Sequence, residues 1–196
     1  MLASNSTIQT KEGLKMQANN SKVRTIDLVL SAMLITLVFV STLFLNIKLP
    51  LAANGGLVHL GSAMLFIISI LFGPKKGAIA GAFGMGLFDL VSGWTLWAPF
   101  TFLTRGLQAY IIGKIAWSHN RNGQSTTFNI LAIITSLPFM LGGYYLCERV
   151  LYNSWIIPLA SIPGNLVQNG VGLIVAIPVV IALKKFPIFN LQRKSF

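Results

Sequence analysis

Acidic residues are scarce in this chain. Four Asp and Glu stand against fifteen Lys and Arg among 196 residues, and only 10% of the residues are charged, whereas 54% are hydrophobic. A soluble protein carries about 25% charged residues, most of them on its surface. Together with a mean hydropathy of +0.72, this shortage of charge excludes an ordinary soluble domain and indicates a membrane protein.

Several motifs that carry chemistry are also missing. Cys147 is the one cysteine, so no intramolecular disulfide can form. The chain has no G-x-x-x-x-G-K-[ST] segment, and we therefore expect no ATP site in it. His59 and Ser62 lie close in sequence, but H-E-x-x-H and G-x-S-x-G segments are both absent. We expect neither an intramembrane enzyme nor a bound metal.

What the chain does have is a series of long apolar runs. A membrane-spanning helix needs about 20 predominantly apolar residues. We expect six such helices, near residues 28–45, 59–72, 77–91, 101–117, 128–146 and 156–183. The turn signal Gly73-Pro74-Lys75-Lys76 separates the second from the third. The predicted fold class is an all-α membrane protein, with a six-helix bundle at 23–185, a polar tail at 1–22 and a basic tail at 186–196.

The basic residues indicate the orientation of this bundle. With both termini in the cytoplasm, twelve of the fifteen fall on the cytoplasmic side: Lys11, Lys15, Lys22, Arg24, Lys75, Lys76, Lys114, Arg121, Lys184, Lys185, Arg193 and Lys194. Only Lys48, Arg105 and Arg149 fall outside, as the positive-inside rule requires. The net charge of +11 thus reflects orientation and contact with anionic lipid, and gives no reason to expect nucleic acid binding.

Polar and aromatic residues gather at the predicted outer ends of the helices. Carboxamides offer donors and acceptors to the edge of a nitrogen heterocycle, and Trp and Tyr rings suit its plane. The candidate substrate-binding residues are His59, Asp89, Trp94, Trp97, Thr101, Arg105, Gln108, Tyr145, Glu148, Asn165, Gln168 and Asn169. The inner halves are apolar, without a polar track across the membrane. This pattern favours a binding site open to the outside over a channel.

Several of these candidates also have a purely structural interpretation. Trp and Tyr at a membrane interface often anchor helix ends. Arg105 can extend to the surface, or pair with Asp89 and join two helices. The carboxamides on helix six can instead bond neighbouring helices. The sequence leaves open whether Arg105 meets a ligand or Asp89.

Several segments, taken together, resemble the substrate-binding S components of energy-coupling factor (ECF) vitamin transporters. The matching segments lie at 56–61, 71–81, 89–93, 98–102 and 105–107, and Asn165-x-x-Gln168 fits as well. The resemblance runs from about Lys22 to Lys185 and points to the subgroup for hydroxymethylpyrimidine and pyridoxine-like compounds. This chain has Ser62 where relatives often have an acidic residue, and Ala32-x-x-x-Thr36 in place of an A-x-x-x-A coupling motif.

The resemblance implies a function. The chain would capture a vitamin or vitamin precursor, with hydroxymethylpyrimidine the best guess, at the surface of a bacterial plasma membrane. Its small-residue face, here Ala32, Thr36, Ala78 and Ala82, would dock on a transmembrane coupling (T) protein that carries two cytoplasmic ABC ATPases. Those partners would hydrolyse ATP, and this chain would bind no cofactor.

Other functions remain open at this point. The vitamin could be pyridoxine, pantothenate, riboflavin or thiamine. A self-sufficient secondary transporter is a further alternative, although such proteins often contain internal repeats, and residues 23–91 and 99–183 show no convincing repeat.

Overall fold

The computed structural model describes residues 24–44, 46–48 and 57–186. Its elements in chain order are α1 (Arg24–Phe44), β1 (Asn46–Lys48), β2 (Leu57–His59), α2 (Gly61–Val91), α3 (Ala98–Ala116), α4 (Thr126–Tyr152) and α5 (Ile162–Leu183). Short 3-10 turns at Ser118–Asn120 and Ile157–Ser161 precede α4 and α5. The predicted tail at 1–22, and residues 187–196 of the other tail, lie outside the described residues.

The chain divides into two compact units, residues 1–33 and 34–196. The described part of the first is the beginning of α1, where Ser31 Oγ donates to the carbonyl of Asp27, 2.8 Å away. The second unit contains the remaining elements. Its α1 residues Leu34, Val38 and Thr42 recur every fourth position and are buried, because residues four apart share one face of a helix.

Helix α2 folds back on itself at Gly73. This residue has φ 81° and ψ −178°, a conformation that glycine adopts readily and other residues rarely do. Pro74, which follows it, has no backbone N–H to continue the helical hydrogen bonds. A Cβ at Gly77 would lie 2.8 Å from Ser69 Cα, and one at Gly81 would lie 2.8 Å from the Leu65 side chain. Both pairs are centred on Gly73, so residues 61–72 and 74–91 form two antiparallel arms. The predicted break is confirmed.

The described part of the chain therefore has five helical elements, and the predicted second and third helices are the two arms of α2. Four segments are long and apolar enough to cross a membrane: α1, α2, α4 and Ile157–Leu183. The protein is thus a helical membrane protein. At 1.5 Å per residue, the first arm of α2 extends only about 18 Å, less than a bilayer core of about 30 Å. The count of six spans and the side of the termini remain predictions.

Several element boundaries differ from the sequence prediction, among them the end of α4, which is at Tyr152 and not near residue 146. His59 belongs to β2, which pairs antiparallel with β1 through Asn46 and His59, and does not begin a helix. Helix α3 begins at Ala98, so that Pro99 lies inside its first turn, where its missing N–H costs nothing. The last helix is preceded by a 3-10 turn and begins in α form at Ile162.

Small residues bring α2 and α3 together. A Cβ at Gly106 would lie 3.2 Å from Ala82 Cβ and 3.6 Å from the Ala78 carbonyl oxygen. Ala78 and Ala82, two of the candidate docking residues, therefore face α3 and are partly buried, whereas Ala32 and Thr36 on α1 are exposed. The docking role of all four remains a prediction.

The loops at one end of the second unit carry basic residues. Trp117 Nε1, at the end of α3, donates to the Ile70 carbonyl beside the Gly73 turn, at 2.8 Å. Lys184 Nζ, at the end of α5, donates to the Gln124 carbonyl, 3.4 Å away. This end of the second unit therefore contains the turn with Lys75 and Lys76, the end of α3 and the end of α5. The functional cavity lies at the other.

Candidate functional site

A cavity of ≈ 120 Å³ opens at the end of the second unit away from these basic loops. It is bounded by β2, the second arm of α2, the loop that follows it, and helices α3, α4 and α5. Its lining residues are His59, Phe88, Asp89, Trp94, Trp97, Thr101, Arg105, Tyr144, Glu148, Ser161, Gly164, Asn165 and Gln168. Residues 49–56, which connect the two strands in the sequence, lie outside the described residues.

Most of the residues predicted from sequence line this cavity. Nine of the twelve candidates do so: His59, Asp89, Trp94, Trp97, Thr101, Arg105, Glu148, Asn165 and Gln168. Gln108, Tyr145 and Asn169 do not line it in the described structure. Five separate stretches of the chain thus bring their polar and aromatic residues to one place.

Arg105 lies at the centre of the polar wall. Its side chain is 2% exposed, and burial of a charge is costly unless the charge is hydrogen-bonded. Nε donates to the Tyr144 hydroxyl at 3.2 Å, and Nη1 donates to Gln108 Oε1 at 2.9 Å. The Tyr144 hydroxyl also lies 3.1 Å from Thr101 Oγ1. Arg105 is therefore anchored on two sides within the wall of the cavity.

Gln108 and Asn169 lie behind Arg105. Their side chains are 0% and 1% exposed, and Gln108 Nε2 donates to Asn169 Oδ1 at 2.8 Å. Asn169 Nδ2 donates in turn to the Asn165 carbonyl oxygen at 2.7 Å. These buried amides join α3 to α5 behind the residues that line the cavity.

A second polar connection joins α5 to the strand hairpin. Gln168 Nε2 lies 2.9 Å from His59 Nε2 and 2.9 Å from Ser62 Oγ. Burial, and to a lesser degree the positive charge of Arg105, lower the pKa of His59 from 6.5 to about 3. The imidazole is therefore neutral near pH 7. Since the amide N–H of Gln168 donates to Nε2, the ring proton lies on Nδ1.

Two carboxyl groups face the cavity from opposite helices. Glu148 on α4 is 6% exposed, and its Oε2 accepts a hydrogen bond from Ser161 Oγ at 2.7 Å. Asp89 lies at the end of α2 and lines the cavity. The described lining thus has two acids for one guanidinium, which suits a ligand with hydrogen-bond donors better than a polyanion.

Aromatic rings form the remaining wall. Trp94 and Trp97 meet edge to face, with ring centroids 5.3 Å apart and planes at 79°, a preferred geometry for aromatic pairs. The tight turn that carries them contains Gly93 at φ 86°, and the Trp94 N–H bonds the Asp89 carbonyl at 2.9 Å. The turn therefore holds both indoles beside the acidic group.

Four lining residues were not among the candidates: Phe88, Tyr144, Ser161 and Gly164. Helical spacing would have indicated Tyr144, because it precedes Glu148 by four residues and shares its face. Tyr145 is turned away, and its hydroxyl donates to the Trp155 carbonyl at 2.7 Å. Ser161 and Gly164 precede Asn165 and Gln168 by the same interval of four.

These features define a helical membrane protein with a small, mixed polar and aromatic ligand cavity at one end. Comparison with known proteins identifies the family. Residues 22–185 match the family model described as "ECF-type riboflavin transporter, S component". Because the match covers most of the chain, this protein belongs to that family. It is a transporter S component, and its family is not an enzyme family.

Two individual proteins are similar in sequence to this chain. The chain is 28% identical to the "Thiamine precursor transporter HmpT" of Lactococcus lactis subsp. cremoris over 168 residues, 86% of this chain and 93% of the relative. It is 29% identical to an "Uncharacterized protein in gap 3'region" of Pyrococcus woesei over 129 residues, 66% of this chain and 83% of that protein.

A solved structure described as "Structure and mechanism of the S component of a bacterial ECF transporter" has the same fold, with a TM-score of 0.64 at 21% identity, covering 83% of this chain and 98% of that one.

Proposed function

We propose that this chain is the substrate-binding S component of an ECF importer for a single-ring vitamin precursor, with hydroxymethylpyrimidine the best candidate. The size of the cavity carries this proposal. Pockets for drug-sized ligands enclose about 300–1,000 Å³, whereas this one encloses ≈ 120 Å³. Because this cavity is smaller than the lower end of that range, it favours a ligand smaller than a drug-sized molecule. A single substituted ring is such a ligand.

The lining chemistry supports the same ligand. Hydroxymethylpyrimidine has ring nitrogens that accept hydrogen bonds, and an amino and a hydroxymethyl group that donate them. Arg105 and the Asn165 amide can donate to the ring nitrogens, whereas Gln168, whose two N–H groups bond His59 and Ser62, can offer its oxygen as an acceptor. Asp89 and Glu148 can accept from the amino and hydroxyl groups. Trp94 and Trp97 offer apolar surfaces to the ring. The relative described as a thiamine precursor transporter favours this choice.

Riboflavin is a second candidate, because the matching family model carries that name. It is a three-ring compound with a long polyol chain, and the described cavity is small for it. Pyridoxine is a single-ring alternative. Pantothenate and thiamine complete the set that a binding assay has to compare.

The proposal places the cavity at the outer surface of a bacterial plasma membrane, with both termini in the cytoplasm. It is supported by the separation of the cavity from the end that carries Lys75, Lys76 and Lys184. Transport would require a transmembrane T protein and two cytoplasmic ABC ATPases, which hydrolyse ATP. This chain would bind no cofactor itself, in keeping with the absence of a Walker A segment from its sequence. Ala32, Thr36, Ala78 and Ala82 would each contribute to docking on the T protein, Ala78 and Ala82 through the part of their surface that α3 leaves uncovered.

A titration tests the ligand assignment. The purified full-length protein is titrated with hydroxymethylpyrimidine, pyridoxine, thiamine, riboflavin and pantothenate, while the total tryptophan fluorescence, to which Trp94 and Trp97 contribute, is followed. The proposal predicts quenching by hydroxymethylpyrimidine at the lowest concentration. If riboflavin bound most tightly, it would be the ligand in place of hydroxymethylpyrimidine. If none of the five compounds bound, the proposed function would be overturned. Uptake by the chain alone in energised vesicles would instead favour a self-sufficient transporter.

A further inference from the structure

We infer that Gln108 and Asn169 are positioning residues, which set the orientation of Arg105 in the ligand cavity without touching the ligand. This inference rests on the proposed function, since it concerns how the same cavity binds. It also changes the role expected for both residues, which the sequence analysis took as ligand contacts. Neither lines the cavity, and both are buried at 0% and 1% exposure.

The three side chains form one directed series of hydrogen bonds. Arg105 Nη1 donates to Gln108 Oε1 at 2.9 Å, Gln108 Nε2 donates to Asn169 Oδ1 at 2.8 Å, and Asn169 Nδ2 donates to a carbonyl oxygen at 2.7 Å. We call this series the amide relay. It begins at a charge on α3 and ends on the backbone of α5, at Asn165.

The direction of the relay is fixed at both ends. A guanidinium group only donates hydrogen bonds, so the oxygen of Gln108 has to face Arg105. The Gln108 nitrogen then faces α5, which requires the Asn169 oxygen to face back. A carbonyl oxygen only accepts, so the Asn169 nitrogen has to face Asn165. Reversal of either amide would place two donors or two acceptors together in a buried site, where unpaired polar groups are costly.

The relay supplies one of the anchors on Arg105. The Tyr144 hydroxyl bonds Nε at 3.2 Å, and Gln108 bonds Nη1. A planar group held at two of its nitrogens has a defined plane as well as a defined position. With Gln108 removed, the guanidinium loses the hydrogen bond at Nη1, and the orientation of its plane is less restricted. A ligand that bonds Arg105 would then have to restrict this motion on binding, which lowers affinity.

A double-mutant cycle tests the inference. Gln108→Met keeps the length of the side chain and removes its hydrogen bonds. We expect it to weaken binding of hydroxymethylpyrimidine about tenfold in the wild-type background, and less than about twofold when Arg105 is already methionine. Asn169→Leu, which leaves Gln108 Oε1 able to accept from Arg105, should cost about threefold. Equal losses from Gln108→Met in both backgrounds, or no loss in either, would overturn the inference.

A matched control separates positioning from stability. Asn129 is also a buried amide, and its Nδ2 donates to the Gly123 carbonyl at 2.8 Å, at the beginning of α4 and away from the cavity. Asn129→Leu should lower the melting temperature and leave the dissociation constant within about twofold. If this variant also bound the ligand tenfold more weakly, the effect of Gln108→Met would be explained by general destabilisation, and the inference would be overturned.

The same cycle without ligand distinguishes the two proposals. If the wild-type protein bound none of the five compounds, the proposed function would fail. The relay would still predict that the losses in melting temperature from Gln108→Met and Arg105→Met are less than additive, because each variant removes the same hydrogen bond between the two side chains. Additive losses in the ligand-free protein would reject the relay by itself.

Discussion

The hydroxyl of Tyr144 lies 3.2 Å from Nε of Arg105, and it connects helix α4 to the only guanidinium among the described residues that line the cavity. The adjacent Tyr145 has no part in this contact, because its hydroxyl bonds the backbone of Trp155. Two consecutive tyrosines thus have different environments, which makes them a matched pair for mutation.

Tyr144→Phe is expected to weaken ligand binding by about 1–3 kcal/mol, the usual cost of a buried polar group left without its partner. The change removes the acceptor for Arg105 Nε and the contact with Thr101. Tyr145→Phe should leave affinity within about twofold, since its hydroxyl faces away from the cavity. Isothermal titration calorimetry of both variants with hydroxymethylpyrimidine measures the difference. Equal affinities in the two variants would remove Tyr144 from the site.

Asn165→Ala and Gln168→Ala should each weaken binding by roughly 1–3 kcal/mol. Asn165 lines the cavity, and Gln168 lines it while also holding His59 and Ser62. Gln124→Ala is the control, because Gln124 is exposed at the opposite end of the second unit. Wild-type affinity in both cavity variants would show that α5 does not contribute to recognition.

The neutral state of His59 predicts a pH dependence of stability. Its pKa in the folded protein is about 3, against 6.5 for the free side chain. Below pH 6.5 the unfolded chain therefore takes up a proton that the folded chain does not. The stability that the neutral His59 gives to the folded protein is therefore fully present above pH 6.5, and it decreases as the pH falls toward 3.

Thermal melts of the wild type and of His59→Gln, from pH 7.5 to pH 5, measure this contribution. We expect the wild type to lose more stability than the variant over this interval, because only the wild type carries the titrating imidazole. Parallel curves would indicate that His59 is not held neutral in the folded protein.

A phosphorylated form of the ligand should bind at least about a hundredfold more weakly than the free alcohol. Asp89 and Glu148 both face the cavity, and like charges brought together cost several kcal/mol. Glu148→Gln removes one of these charges while keeping an acceptor for Ser161 Oγ. This variant should therefore show a smaller difference in affinity between the alcohol and its phosphate. Competition binding with the alcohol and its phosphate tests this. Tighter binding of the phosphate to the wild type would contradict the proposed ligand class.

The sequence predicts the face of a helix better than the depth at which a residue lies on it. Thr101, Arg105 and Gln108 share one face by spacing, and the structure agrees. However, Gln108 lies one turn further along α3 than Arg105 and is covered by it. The α5 residues show the same limit, since Gln168 reaches the cavity and the adjacent Asn169 does not. Depth depends on where helices cross, and a single helical period does not contain that information.

Some features were predictable and others were not. The fold class follows from the long apolar runs, and the break at Gly73 follows from a glycine before a proline. The pairing of Asn46 with His59 could not be predicted, because strands of three residues are too short for an alternating pattern. Tyr144 could have been added as a candidate, since it lies four residues before Glu148, but spacing alone does not separate it from Tyr145, which lies three residues before Glu148 and also shares that face.

The central claim is that the cavity binds its ligand at the outer face of the membrane. Single cysteines at Trp97 and Gln124, in a Cys147→Ala background, are labelled with a membrane-impermeant thiol reagent in right-side-out vesicles. The account predicts that Trp97→Cys reacts from outside and is protected by hydroxymethylpyrimidine, and that Gln124→Cys reacts only after the vesicles are opened. Labelling of Trp97→Cys only in opened vesicles, or with no protection by any of the five compounds, would contradict it.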